Sequence, residues 1–202
     1  MIKFILASHN KDKRNEIEAI FTMNFSGEFT FVDGVDPGEV VEDGDTIEEN
    51  ARIKAHAWLN VNPESICIAD DTGLFVDALD GRPGVHAARY AGADASYDDN
   101  CTKMLDELHG VEANLRTAKF STCAIAVGKN INDVISIGEV EGTLTKEKYG
   151  VNGFGYDPIF VPSEYGNEKT FAQLGSEYKN SFSHRSKAFR TLVVGLLNEK
   201  LI

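Results

Sequence analysis

Apolar residues in this chain follow two rhythms, and their alternation predicts the elements. A continuous run at Ile2 to Ala7 reads as a strand. After Asn10, a capping residue, Ile17, Ile20 and Phe21 recur at helical spacing. Thr46 and Glu49 form a capping-box pair ahead of Ile47, Ala51, Ala55, Trp58 and Leu59, which share one helical stripe. Residues Ser65 to Ala69 read as a buried strand that ends at Asp70 and Asp71, with Thr72-Gly73 as a turn before "LFVDAL" resumes. Asp80 to Gly92 is too rich in Gly and Pro for regular structure, and a helix follows over Tyr97 to Leu108 with Met104, Leu105 and Leu108 inward. The runs "KFSTCAIAVG" and "DVISIGEVEGTL" predict a hairpin or neighbouring strands. The Gly-rich loop "GVNGFGYDPIFVP" leads into a short strand. Ser183 to Leu201 predicts a final helix with Ala188, Leu192, Val193, Leu196 and Leu197 on its apolar face. Helices alternating with strands around a long β stretch indicate an α/β fold on a mixed sheet.

The chain has 202 residues, 42% hydrophobic and 26% charged, the size and make-up of one globular domain or two tightly joined lobes. No apolar run approaches the roughly 20 residues that span a bilayer, and the opening "MIKFILASHN" turns polar too soon for a secretory signal, so a cytoplasmic location is expected. Cys67, Cys101 and Cys123 are odd in number and widely spaced, which fits reduced core cysteines. A net charge of -12 argues against a broad nucleic-acid or anionic-membrane surface, while leaving room for a small anion in a local basic pocket.

Two predicted helices begin with cations: Lys11, Lys13 and Arg14 in one, His184, Arg185 and Lys187 in the other. The positive end of the helix dipole disfavours them by about 0.3–1 kcal/mol each, so an anion there would remove a conflict, and phosphate is the obvious candidate. Simple solvation of these side chains is the alternative. Glu42, Asp43, Asp45, Glu48 and Glu49 precede and open the second helix, and Asp70 and Asp71 close a strand; such oxygens together with phosphates suit Mg²⁺. Adjacent strand residues face opposite ways, so only one aspartate need reach a ligand. A plain Asp-Asp-Thr-Gly turn accounts for the same residues and is the reading that composition favours. Lys54 lies one helical turn from Asn50 and could reach a phosphate. His9, His56, His86 and His109 lack metal-ligand spacing, and "FGYDPIF" offers an aromatic beside a carboxylate in a loop open to close approach.

Five segments taken together, "SHNKDK", "EDGDTIEENARIKA", "IADDTGLFVDALDGRPGVHAARYAG", "NGFGYDPIF" and "TFAQLGSEYKNSFSHRSKA", resemble the successive blocks of the Ham1-like inosine triphosphate pyrophosphatases, in order from about Ile5 to Leu192. The resemblance implies a single such domain over residues 1–202, an elongated mixed sheet flanked by helices, two lobes with a central cleft, and a homodimer. It also implies Mg²⁺-dependent hydrolysis of inosine and xanthosine triphosphates and their deoxy forms to the monophosphate and pyrophosphate. By position, Ser8, His9, Asn10, Lys11 and Lys13 would cradle the triphosphate, with Lys54 beside them; Glu42 and Asp71 would hold the metal. Asp71 would accept a proton and Thr72 touch substrate, while Phe154, Gly155, Tyr156, Asp157, Lys179, His184 and Arg185 would meet the nucleotide, chiefly at its base. Lys179 and Arg185 offer only N–H groups, which suit a 6-keto oxygen and meet an unpairable amino group in adenine. His9, Thr72, Ala87 and Gln173 depart from the family's usual residues. Maf-like pyrophosphatases would not account for "FGYDPIF" followed by "SHR", and a nucleotide sensor without turnover would not need Glu42, Lys54 and Asp71 together.

Overall fold

The computed structural model describes residues 2–25, 27–165 and 168–199. Its elements run β1 (Ile2–Leu6), α1 (Lys11–Asn24), β2 (Phe29–Phe31), α2 (Ile47–Val61), β3 (Ile66–Val76), β4 (Pro83–Gly84), α3 (Tyr97–Glu107), β5 (Thr117–Val127), β6 (Val134–Leu144), β7 (Phe160–Pro162), α4 (Phe171–Leu174), α5 (Ser176–Phe182) and α6 (His184–Asn198). The strands form a seven-stranded sheet in the order β2-β1-β3-β5-β6-β7, with β4 paired to β3. The sheet is mixed, because β1 runs parallel to β2 and β3 while β4 and β7 pair antiparallel with their neighbours. Lys200 and Leu201, the end of the expected last helix, lie outside the described residues.

Local chemistry sets the helix starts. Asn10 Oδ1 accepts the N–H groups of Asp12 and Lys13 at 3.0 and 3.1 Å. Thr46 and Glu49 exchange side-chain and backbone bonds at 3.1 and 3.0 Å, and Ser96 and Asp99 do the same ahead of α3. Each such cap is worth about 1 kcal/mol.

The main correction concerns β3. The strand does not stop at the aspartates: it continues through Asp70, Asp71, Thr72 and Gly73 to Val76. Turn preference is a local effect, and here strand pairing outweighs it. Gly73 is needed because of close packing, since a Cβ there would lie 2.7 Å from the Phe75 ring and 3.0 Å from the Gly84 carbonyl oxygen. The three-residue strand β2 was not anticipated; its phenylalanines, two apart and so on one face, pack on Phe4 at centroid distances of 6.4 and 6.0 Å. Helices α4 and α5 were also missed. They are short and are separated by Gly175 at φ +82°.

Internal contacts divide the chain into two compact units, residues 1–71, 122–138 and 184–202, and residues 72–121 and 139–183. Each has its own core. The first packs Phe4, Ile17, Ile20 and Phe21 of β1 and α1 with Phe189, Leu192 and Leu196 of α6. The second packs Leu74, Met104, Leu108, Phe120, Phe160 and Phe171. In the first unit, Gly138 of β6 lets the start of α6 approach the strand: a Cβ would fall 2.2 Å from the His184 carbonyl oxygen and 2.3 Å from the Ala188 nitrogen. Ser136 Oγ donates to the Ala188 carbonyl at 2.8 Å and fastens the same turn.

All three cysteines are free and buried, and burial pushes their thiols up, Cys67 to about 11 and Cys101 and Cys123 to about 12. No helix among the described residues is long and apolar enough to cross a membrane.

Candidate active site

The buried charges of the first unit gather where β3 carries Asp70 and Asp71. Because consecutive strand residues alternate in direction, the two carboxylates enter different surroundings. Asp70 Oδ2 accepts Nε and Nη2 of Arg185 at 3.2 and 3.1 Å and lies 3.5 Å from the Lys13 ammonium. Arg185 Nη1 donates in turn to Glu16 Oε2 at 2.8 Å. Burial by itself would raise the Asp70 carboxyl, but Lys13, Arg185 and Lys54 outweigh it and hold the group well below the usual carboxylate range. Burial would likewise lower Arg185, yet its two carboxylates raise it. Lys13 has fewer compensations. Its burial, only partly offset by Asp70, lowers its pKa.

Asp71 lies beside Lys54 and Glu42. Lys54 Nζ lies 2.8 Å from Glu42 Oε2 and 3.9 Å from Asp71 Oδ1, and donates to the Asp70 carbonyl at 3.0 Å. These acids more than offset the burial of Lys54 and raise its pKa. Asp71 is raised too, chiefly by burial and secondarily by Glu42 and Asp70. Its Oδ2 is buried with no hydrogen-bond partner among the described residues. Glu42 and Asp71 thus converge on one cation with an acceptor oxygen left over, and such oxygen donors fit a hard divalent ion whose remaining ligands come from substrate phosphates and water. Among the described residues, no group of three or more His, Cys, Asp or Glu could hold a metal by itself.

The loop ahead of α1 is only partly open to an anion. Ser8 Oγ accepts the Asn10 N–H at 3.3 Å, and the Asn10 cap occupies the N–H groups of Asp12 and Lys13. Lys11 is exposed. His9 turns outward to Asp36 at 3.0 Å, with its ring 5.6 Å from Trp58. His184, the first residue of α6, is buried and bonds through Nδ1 to Thr122 Oγ1 at 2.7 Å.

In the second unit the glycine-rich loop wraps a carboxylate. Asp157 Oδ2 accepts the Phe154 N–H at 3.0 Å and the Lys179 ammonium at 2.7 Å. Gly153, at φ +77°, is required there, since a Cβ would lie 2.0 Å from that oxygen. Lys179 Nζ also sits 4.7 Å from the centre of the Phe154 ring, a cation–π geometry. Tyr156 is a core residue whose hydroxyl donates to the Ala87 carbonyl at 2.8 Å. Gly155 is at φ +63° and its carbonyl accepts the Cys101 thiol at 3.3 Å.

Of the sequence-predicted residues, the structure thus joins Lys13 with Arg185, joins Glu42 with Lys54 and Asp71, and joins Phe154 with Asp157 and Lys179. Thr72 follows Asp71 within β3. Arg185, expected at the base, is engaged by Asp70 and Glu16. Gln173 keeps a role despite its departure from the family pattern, accepting the Thr170 N–H at 3.0 Å as a capping partner. Sequence reasoning missed Glu16 and Thr122. An acid four residues from Ile20 on an apolar helical stripe was the available signal for Glu16; Thr122 had none.

Among curated proteins, the dITP/XTP pyrophosphatase of Listeria monocytogenes serovar 1/2a is 44% identical over 195 residues, covering 95% of this chain and 93% of that protein. The dITP/XTP pyrophosphatase of Thermoanaerobacter sp. strain X514 is 43% identical over 191 residues, covering 95% and 94%. Among solved structures, the Ham1 protein of Staphylococcus aureus superposes with a TM-score of 0.82 at 35% identity, covering 99% of this chain and all of that one. A HAM1 protein from Coxiella burnetii gives 0.85 at 33%, covering 98% and 100%. The Ham1 family model matches residues 4–194, nearly the whole sheet and its helices, and the chain belongs to the Ham1 family.

Proposed function

We propose that this chain hydrolyses non-standard purine nucleoside triphosphates, such as inosine and xanthosine triphosphates and their deoxy forms, to the monophosphate and pyrophosphate. Relatives with the dITP/XTP pyrophosphatase name, alike over almost the full chain, support the substrate class. The observation that carries the chemistry is the Asp71 carboxylate beside the Glu42–Lys54 pair, with one buried oxygen that has no hydrogen-bond partner among the described residues.

Glu42 and Asp71 would hold Mg²⁺, which when bound neutralises charge on the phosphate oxygens and the leaving group. Lys13 and Lys54 supply fixed positive charge for the triphosphate, and Ser8, His9, Asn10 and Lys11 form the loop beside it. Asp71 orients a water for attack on the α-phosphorus and takes its proton. Burial raises this carboxyl and makes it a better base than an ordinary aspartate. Arg185 acts through Asp70, which it holds charged and fixed. Thr72 and His184 are assigned to substrate, and Phe154, in the loop that Gly155, Tyr156 and Asp157 shape, and Lys179 of α5 are assigned to the base. A homodimer in the cytoplasm belongs to the same proposal, and light scattering of the purified protein checks the dimer.

A chromatographic assay of inosine, xanthosine and adenosine triphosphates with Mg²⁺ tests the reaction. Monophosphate and pyrophosphate are expected from the first two. Stepwise release of phosphate would contradict the bond assignment, and so would wild-type turnover in a folded Asp71→Asn variant.

A further inference from the structure

We propose that Asn50 is a positioning residue for the metal: its side-chain amide clasps the backbone of Gly44 from both sides and so sets where the Glu42 carboxylate stands. The inference deepens the proposed function, because it rests on Glu42 holding the cation.

Residues 32–46, between β2 and α2, carry no helix or strand, so no ladder fixes their path. Side chains of α2 fasten this segment instead. Asn50 Oδ1 accepts the Gly44 N–H at 2.9 Å, and Asn50 Nδ2 donates to the Gly44 carbonyl at 3.3 Å. A carboxamide offers an acceptor and a donor in one plane, as the peptide group of a neighbouring strand would. The clasp is sheltered from water, since Asn50 is only 2% exposed, and hydrogen bonds are stronger in such surroundings. Gly44 permits the close approach: a Cβ there would lie 2.6 Å from Glu49 Cβ and 3.2 Å from the Asn50 backbone nitrogen. One helical turn on, Lys54 Nζ meets Glu42 Oε2 at 2.8 Å. One face of α2 thus holds the segment twice. Lys54 is itself a cation and competes with a metal for Glu42, whereas Asn50 grips backbone and does not occupy the carboxylate. Only Asp43 separates Glu42 from the gripped residue, so movement of Gly44 is passed to the carboxylate.

Asn62 supplies a matched comparison at the other end of α2. Its amide clasps Val35 in the same way, accepting the N–H and donating to the carbonyl at 2.8 Å each. Val35 lies farther along the chain from Glu42 than Gly44 does, so losing this clasp removes the same kind of bonds without releasing the metal ligand.

Metal-free protein is titrated with Mn²⁺ alone, and the free ion is read by electron paramagnetic resonance. Groups that orient a ligand alter metal affinity about 10–100-fold, so Asn50→Ala and Gly44→Ala are each expected to weaken Mn²⁺ by about tenfold or more, with Asn62→Ala within about threefold of wild type. With inosine triphosphate, the Mg²⁺ needed for half-maximal rate should rise by a like factor in both variants, while kcat at saturating Mg²⁺ stays within about threefold. If Asn50→Ala does not fold, Gly44→Ala decides. Wild-type affinity in either folded variant, or an equal loss in Asn62→Ala, would overturn the inference. Glu42→Gln separates it from the reading beneath it. A tenfold loss there, by the same estimate, with none in Asn50→Ala sinks the clasp alone. No loss in Glu42→Gln refutes the metal role of Glu42 and takes this inference with it.

Discussion

Asp70 and Asp71 are neighbours on one strand, and the same isosteric change at each is expected to have opposite consequences. Asp70→Asn removes a carboxylate that accepts two N–H groups of Arg185 at 3.2 and 3.1 Å and lies 3.5 Å from Lys13, leaving Arg185 to Glu16 and Lys13 to Asp71 as counter-charges. Breaking a buried pair from one side costs about 3–5 kcal/mol. In a protein of this length each kcal/mol lowers Tm by about 2–4 °C, so a fall of about 6–20 °C is expected. Asp71→Asn removes a carboxylate whose ionised form is disfavoured on balance, burial outweighing the pull of Lys13 and Lys54, and whose Oδ2 has no hydrogen bond among the described residues. Its stability should therefore match the wild type within about 0.5 kcal/mol or exceed it. The sign with pH follows from the depressed Asp70 carboxyl: its contribution is fully present above its ordinary 3.8 and is lost as pH falls below that value. The gap between wild type and Asp70→Asn should then be flat from about pH 8 to 5 and narrow in stronger acid. Thermal and urea unfolding followed by circular dichroism, with chelator present to exclude divalent ions, measures both variants. Equal losses at the two positions, or a larger loss at Asp71, would refute the division of roles.

Gly138→Ala places a Cβ 2.2 Å from the His184 carbonyl and 2.3 Å from the Ala188 nitrogen, so backbone must move; a loss of about 1–3 kcal/mol in urea unfolding is expected, with a fall in turnover beyond what the folded fraction explains. Lys179→Met removes the ammonium 2.7 Å from the buried Asp157 carboxylate and should cost about 3–5 kcal/mol, measured by thermal unfolding. Arg116→Met removes bonds to the carbonyls of Leu108, Leu144 and Thr145, which tie the end of α3 to the end of β6. About 2–4 kcal/mol of stability should be lost while the preference among purine triphosphates stays the same, because this guanidinium bonds to backbone and to no proposed substrate contact.

Elements marked by local chemistry were legible from residue order alone. Asn10, Thr46 with Glu49, and the apolar stripe of the last helix state where helices begin and which face is buried, because capping and helical periodicity act within four residues. The cation-headed helices and the acids near Lys54 were likewise visible, and they pointed to phosphate chemistry before any contact was known. The sequence could not say that Asp70 and Asp71 sit inside a continuous strand, since Asp and Gly carry a turn preference that only strand pairing overrides. Nor could it say what Arg185 holds: its partners lie 115 and 169 residues away, and the choice between an anion of the ligand and carboxylates of the chain depends on packing α1 against α6. Short-range rules decided the elements and the kind of chemistry. Long-range burial of charge decided which aspartate is held by Arg185 and Lys13 and which sits beside Lys54 and Glu42.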